Sequence, residues 1–194
     1  MHHPRHVEGF AIVSQDGMLA DAAGIMPASL KFQADQRFFE TSLDAVDVVV
    51  HGRYSHEQQP HSPLRRRLIL SRRIPAIAAD PSNDKALIWN PAGASFEEAL
   101  TALGEPNARV GIIGATGVFG LFLDRFDVFN LSRAPAVRLP GGRPVFPEVP
   151  ARTPEEVLAA NGLEIARRQM LDSAAGLVVV SWQRQRSRPA VRVE

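Results

Sequence analysis

Four short segments carry residue types suited to holding an anion. They are Ser14-Gln15-Asp16-Gly17-Met18-Leu19-Ala20, Gly52-Arg53-Tyr54-Ser55-His56-Glu57, Ser71-Arg72-Arg73 and Gly114-Ala115-Thr116-Gly117-Val118-Phe119-Gly120. Each follows a short apolar run, and three of the four are rich in Gly, Ser, Thr and Arg. Such turns offer backbone N–H groups and guanidinium forks to phosphates, and the Gly114 turn also opens a helix. The simplest common ligand is a phosphorylated nucleotide. Two separate arginine-bearing turns suit a molecule with one phosphate more, NADPH over NADH. Taken singly, each segment is an ordinary turn or a solvated strand end; their number and order carry the weight.

Hydride transfer from a nicotinamide needs an acceptor with a proton source beside it, in a site that excludes water. A buried carboxylic acid with a raised pKa can be that source. Between the loop at 16–30 and the next strand the acids are Asp35, Glu40 and Asp44. Asp35 lies nearest the loop, one helical turn before Phe38 and Phe39, and is the best placed. A solvated helix carboxylate is the competing reading, since lone Asp residues are mostly exposed. His51, His56 and His61 recur every five residues, a spacing that puts them on no common helix or strand face. With Pro60 and Pro63 before the next strand, the segment after His51 reads as a loop, so no metal site is expected.

The elements that must position these residues alternate. Residues 10–13, 46–51, 68–70, 87–89, 110–113 and 128–131 read as strands, the second a nearly continuous apolar run of the kind buried on both faces. Between them, Gln33–Leu43 is helical by its apolar spacing. Ser95 and Glu98 form a capping box for a helix over 96–103 closed by Gly104, and 117–123 is helical. This predicts an α/β fold with a central, largely parallel sheet and helices on both faces. After a loop at 139–144, Thr153-Pro154 starts a further helix that Gly162 ends. Two strands at 163–171 and 176–182 then form an antiparallel hairpin at the sheet edge. Residues 184–194, with four arginines, read as a flexible basic tail, and 1–8 as a disordered start.

The 194 residues suffice for one domain, here 9–183. Apolar residues make up 45% and charged ones 22%, which argues against disorder. The absence of cysteine excludes disulfides, thiolate metal ligands and a cysteine nucleophile, and fits a cytoplasmic protein. No apolar run reaches the ~20 residues that span a bilayer, and no secretory signal follows Met1. The net charge of +1 provides no field for nucleic acid or a membrane. Arg65-Arg66-Arg67 and the tail lack the aromatic residues that RNA binding adds.

The order of motifs resembles the dihydrofolate reductase-like superfamily. The residues that carry it are Ser14-x-Asp16-Gly17-x-Leu19-Ala20, Asp35 with Phe38-Phe39, Asp47 to Gly52-Arg53-x-Ser55, Leu70-Ser71-Arg72, and Ile113-Gly114 with Val118-Phe119. They continue with Asp127-x-x-x-Leu131-Ser132-x-x-Pro135 and Gly142-x-Pro144-x-Phe146-Pro147. The Ser-x-Asp-Gly start and the Leu-Ser-x-x-Pro stretch look more like the C-terminal reductase domain of bacterial riboflavin biosynthesis. The resemblance implies a single dihydrofolate reductase-like domain binding NADPH over the carboxyl edge of its sheet. Gly52, Arg53 and Ser55 would hold the adenosine-side phosphates, Ser71 and Arg72 a second phosphate, and Gly114, Ala115, Thr116, Gly117, Val118 and Phe119 the pyrophosphate. Asp35 would be the acid that supports substrate protonation, with Ser132 as its partner. Phe39 and Asp16 would face the substrate, and 16–30 would be a flap over the nicotinamide.

Two departures qualify what the resemblance implies. The family pattern has Gly-Gly where this chain has Gly114-Ala115, and the second glycine belongs to a cis peptide lying against the cofactor. The flap reads Gly24-Ile25-Met26-Pro27-Ala28-Ser29, without the Trp of dihydrofolate reductases, and no deaminase zinc signature is present. The expected function is an NADPH-dependent reductase of a small-molecule substrate, heterocyclic or of ribosylaminopyrimidine type. The alternative is a catalytically weakened nucleotide-binding module of the same fold. The apolar run at 177–180 is read as a sheet edge needing cover, which suggests a homodimer.

Overall fold

Val48, Val49 and Val50 have no exposed surface, the environment that their uninterrupted apolar run requires. They form one of the inner strands in a computed structural model that describes residues 6–55 and 58–185. His2, His3, His56 and the arginines beyond 185 lie outside the described residues.

The strands are β1 (His6–Ser14), β2 (Met18–Ala20), β3 (Val48–Gly52), β4 (Arg66–Leu70), β5 (Ile77–Ala79) and β6 (Ala86–Trp89). They continue with β7 (Arg109–Ile112), β8 (Val128–Ala134), β9 (Arg143–Pro144), β10 (Leu163–Asp172) and β11 (Leu177–Arg184). The helices are α1 (Gln33–Leu43), α2 (Phe96–Ala102), α3 (Thr116–Leu121) and α4 (Pro154–Ala160). Nine strands form one sheet in the order β10-β11-β8-β1-β7-β3-β4-β6-β5, and β2 and β9 form a separate pair. The six strands from β8 to β6 are mutually parallel; β11 at one side and β5 at the other run antiparallel to them, and β10 pairs antiparallel with β11.

Alternation along the strands divides the helices between the two faces. Phe10 and Val49 point towards α1, packing with Leu43, Phe38 and Phe39. Val48, Val50, Val110 and Ile112 point the other way, into a cluster with Phe96 and Leu100 of α2, Phe119 of α3 and Val157 and Leu158 of α4. Gly111 lets α1 approach closely, since a Cβ there would stand 3.2 Å from Val46 and 3.3 Å from Leu43. The boxes that start α2 and α4 close on both sides: Ser95 with Glu98, and Thr153 with Glu156.

The structure departs from the sequence reading in four places. The run at 177–180 is not an edge: β11 lies between β8 and β10, so this chain supplies its own cover. The edge is β10, interrupted by irregularities between Ile165 and Arg167 and between Met170 and Asp172, and largely solvent-exposed. Residues 6–8, assigned to the start segment by the sequence, belong to β1, which pairs there with β7. The loop at 139–144 ends in the two-residue strand β9, which pairs with β2 inside the expected flap.

The fourth departure concerns Arg184, assigned to the tail by its polar surroundings. It is the last residue of β11, and its guanidinium donates to the carbonyls of Phe126 at 2.9 Å, Asn161 at 2.7 Å and Leu123 at 2.8 Å. One side chain thereby joins the end of α4 to the segment before β8. Hydrogen bonds from a charged group contribute about 1.5–3 kcal/mol each and are not additive. Replacing Arg184 with Ala should lower the unfolding free energy by about 3 kcal/mol in urea titrations; a change under about 0.5 kcal/mol would return the residue to the tail.

Candidate active site

Register brings the anion-suited turns to one edge. Gly9, Ile112, Val50 and Leu68 lie side by side on β1, β7, β3 and β4. Because these strands are parallel, three residues further along each reaches Ile12, Ala115, Arg53 and Ser71, and Ile12 pairs with Ser132 of β8. Every one of these positions therefore stands at the carboxyl edge, across five adjacent strands. At about 4.8 Å per strand this edge extends about 19 Å.

The β3 and β7 turns are locked together. Gly52 N–H donates to the Gly114 carbonyl at 2.9 Å, and Ser55 N–H donates to the Gly52 carbonyl at 3.0 Å. Gly114 has φ 119°, a conformation open to glycine, and its peptide bond to Ala115 is cis. The N–H groups of Val118 and Phe119 both close on the Ala115 carbonyl. Their side chains are buried, and Phe119 meets Phe129 and Phe146 edge-on. The structure thus assigns Val118 and Phe119 to the core rather than to a ligand surface. The N–H groups of Thr116 and Gly117 have no acceptor among the described residues, whereas the Thr116 hydroxyl donates to the Pro144 carbonyl of β9. Arg53 and Arg72 are exposed and form no ion pair among the described residues.

Asp35 sits in the first turn of α1, partly buried above the row that contains Ser132. Ser132 is itself buried on β8, and its hydroxyl donates to the Asp35 carboxylate. Burial is the larger influence and pushes the Asp35 pKa up to about 6, against the opposing Ser132 hydrogen bond. Phe39, one turn further, is also partly buried and meets Phe10 edge-on at 6.2 Å. It packs α1 against the sheet one helical turn from Asp35.

Asp16 is used within the chain. Its carboxylate accepts from the Ser14 hydroxyl at 2.5 Å and from Leu139 N–H at 3.0 and 3.2 Å. Burial alone would raise its pKa, but these hydrogen bonds and the Arg138 charge hold it below the ordinary value. It ties the base of the 16–30 segment to the loop after β8.

Arg133 adds a second tie that sequence reasoning missed. It donates to Glu155 at 2.6, 2.7 and 3.2 Å and to the Gln15 carbonyl at 2.6 Å. A lone arginine within the apolar strand β8 was the available signal. Of the histidines, His51 is buried with Nδ1 2.8 Å from the Gly52 carbonyl, and His61 lies 3.0 Å from Asp44.

No family model and no curated protein matches the chain. Solved structures do. A protein described as a candidate riboflavin biosynthesis protein from Shewanella sp. PV-4 superposes with TM-score 0.65 at 19% identity, over 93% of this chain and 99% of that one. Dihydrofolate reductase from Enterococcus faecalis, complexed with NADP(H) and RAB-propyl, gives 0.65 at 16% identity, over 96% and 100%. A diaminohydroxyphosphoribosylaminopyrimidine deaminase/5-amino-6-(5-phosphoribosylamino)uracil reductase from Thermotoga maritima gives 0.64 at 14%, over 94% of this chain and 57% of that one. These likenesses establish a dihydrofolate reductase-like fold.

The raised Asp35 pKa has a consequence for stability. An aspartate titrates at an ordinary value of 3.8 and this one at about 6, so the folded state holds the proton more tightly than the unfolded chain. Folding stability is therefore lost as pH rises through that window, and the cost is fully present above it. Asp35→Asn removes the cost: the variant should gain about 2 kcal/mol near pH 8, after allowance for solvent screening, and nothing near pH 3.5. Urea titrations at both values check this, and an equal gain at both would exclude the ionisation as its cause.

Proposed function

We propose that this dihydrofolate reductase-like chain is an NADPH-dependent reductase of a small heterocyclic or ribosylaminopyrimidine-type substrate. The observation that carries the proposal is the Asp35–Ser132 pair: a half-buried acid with a pKa of about 6, held by a buried hydroxyl at the ligand edge of the sheet. Nothing in the packing of α1 requires a carboxyl there, and its ionisation is destabilising near neutrality. A costly acid at the carboxyl edge of a parallel sheet is the kind of group retained for proton transfer.

The turns fit the cofactor. Arg53 and Arg72 supply guanidinium groups for two separate phosphates, and Thr116 and Gly117 supply N–H groups that have no acceptor among the described residues. NADPH bound along this edge would supply the hydride. Asp35 would hold a proton beside the acceptor atom, Ser132 would orient the carboxyl, and the 16–30 segment would limit access of water. A carboxyl titrating near 6 is protonated often enough at neutral pH to act as a general acid.

Asp35→Asn should therefore cut turnover about 100-fold or more while the NADPH dissociation constant stays within about twofold, as removal of a general acid predicts. The reductase activity of the unaltered protein should fall as pH rises through about 6, and the residual activity of the variant should lack that limb. A titration with NADPH and NADH by calorimetry tests the cofactor assignment. A clear preference for NADPH that Arg72→Ala abolishes is the expected result, and binding of neither nucleotide would overturn the proposal.

A further inference from the structure

Thirteen aromatic residues occur in the chain: ten Phe, two Trp and one Tyr. Among the described residues every Phe and Trp is buried or partly buried, and only Tyr54 is exposed, at 82%. It is also the most exposed of the large apolar side chains, ahead of Leu64 at 67% and Ile25 at 65%. Its position is not arbitrary. Tyr54 lies between Arg53 and Ser55 in the β3 turn, whose backbone is pinned by the Gly52–Gly114 and Ser55–Gly52 hydrogen bonds. β3 pairs with β4 as far as Gly52–Leu70 and bonds to the β7 turn through Gly52–Gly114, so the turn that carries Tyr54 leaves the same edge as the Ser71–Arg73 turn and the turn that opens α3. The turn thus presents an exposed ring beside Arg53, at the same edge as Arg72 and as the N–H groups of Thr116 and Gly117, which find no acceptor among the described residues.

We propose that Tyr54 is the stacking platform for the base on the adenosine side of the bound nucleotide. The inference rests on the reading of this edge as a cofactor site and adds a contact to it. A flat π-face stacks on any nucleobase, and a neighbouring guanidinium adds a cation–π component. The Gly52–Gly114 and Ser55–Gly52 hydrogen bonds hold the backbone of the turn, so little backbone freedom is lost when the ring is covered. The phosphates that Arg53 and Arg72 would hold bring the attached base to the side chain at the same edge.

The chain has one tyrosine and no cysteine, so nitration by tetranitromethane reports on Tyr54 without a competing thiol. NADPH and adenosine 2′,5′-bisphosphate should each slow nitration of the intact protein about tenfold, read by mass spectrometry, while nicotinamide mononucleotide should leave it unchanged. In calorimetry Tyr54→Ala should raise the NADPH dissociation constant about tenfold, the low end of base–aromatic stacking. Tyr54→Phe should restore affinity to within about twofold, and Tyr54→Leu should not. Because the side chain is exposed, none of these variants should shift the thermal midpoint. NADPH binding with undiminished nitration, or full affinity in Tyr54→Leu, would overturn the stacking role alone. Absence of NADPH binding to the unaltered protein would overturn the cofactor reading and this inference with it.

Discussion

Continuous parallel register across β8, β1, β7, β3 and β4 is the constraint on which the candidate site depends. Parallel strands all end at the same edge, and each must leave it through a connection that returns to the opposite edge. Turns far apart in the chain, at 53, 71 and 115, are therefore delivered to one line. Nothing local in those turns brings them together; the sheet does. A shift of one residue in any strand would turn its buried side chains to the wrong face, and the buried valines and isoleucines on both faces prevent it.

Asp35 shows which of three opposing influences wins. It lies in the first turn of α1, where the helix dipole favours a negative charge. The Ser132 hydroxyl favours it too, yet burial outweighs both and raises the pKa. Exposed dipole effects are worth about 0.3–1 kcal/mol, whereas a shift of two units corresponds to about 3 kcal/mol before screening. The surroundings explain the outcome. Phe39 and Phe10 close the sheet side of α1, and Ser132 offers one hydrogen bond where a solvated carboxylate would accept several. The pKa of the acid is thereby raised towards neutral pH without a second charged group beside it.

Much of this was legible in the sequence wherever local chemistry and long periodicity agree. α1 matches its apolar spacing end to end, and α2 and α4 begin at the capping residues that announce them. The strands β2, β5 and β9, of three, three and two residues, are too short to show a period, and only tertiary pairing defines them. Arg184 was illegible for another reason: its partners are backbone carbonyls, which no pattern of side chains reveals. The same limit applies at the site. The sequence singled out the Gly114–Phe119 segment, but not that Val118 and Phe119 turn into the core and leave the preceding N–H groups facing outward. It singled out Asp16, but not that Leu139 occupies its carboxylate.

The 16–30 segment is fixed at its base. Asp16 binds Leu139, Gly17 accepts from Val145, and β2 pairs with β9. β9 is joined in turn to α3 through the Thr116 hydroxyl and the Pro144 carbonyl. Further out, Asp21 closes on Ile25 through its own backbone and carboxylate, forming a small self-contained turn that presents Ile25 and Met26 to solvent. The base of the segment thus shares a hydrogen-bonded path with the turn that carries the N–H groups of Thr116 and Gly117. Any ligand that draws α3 towards it acts on β9 and β2 through one hydroxyl–carbonyl contact. The turn that opens α3 and the base of the 16–30 segment are therefore already physically connected in the fold.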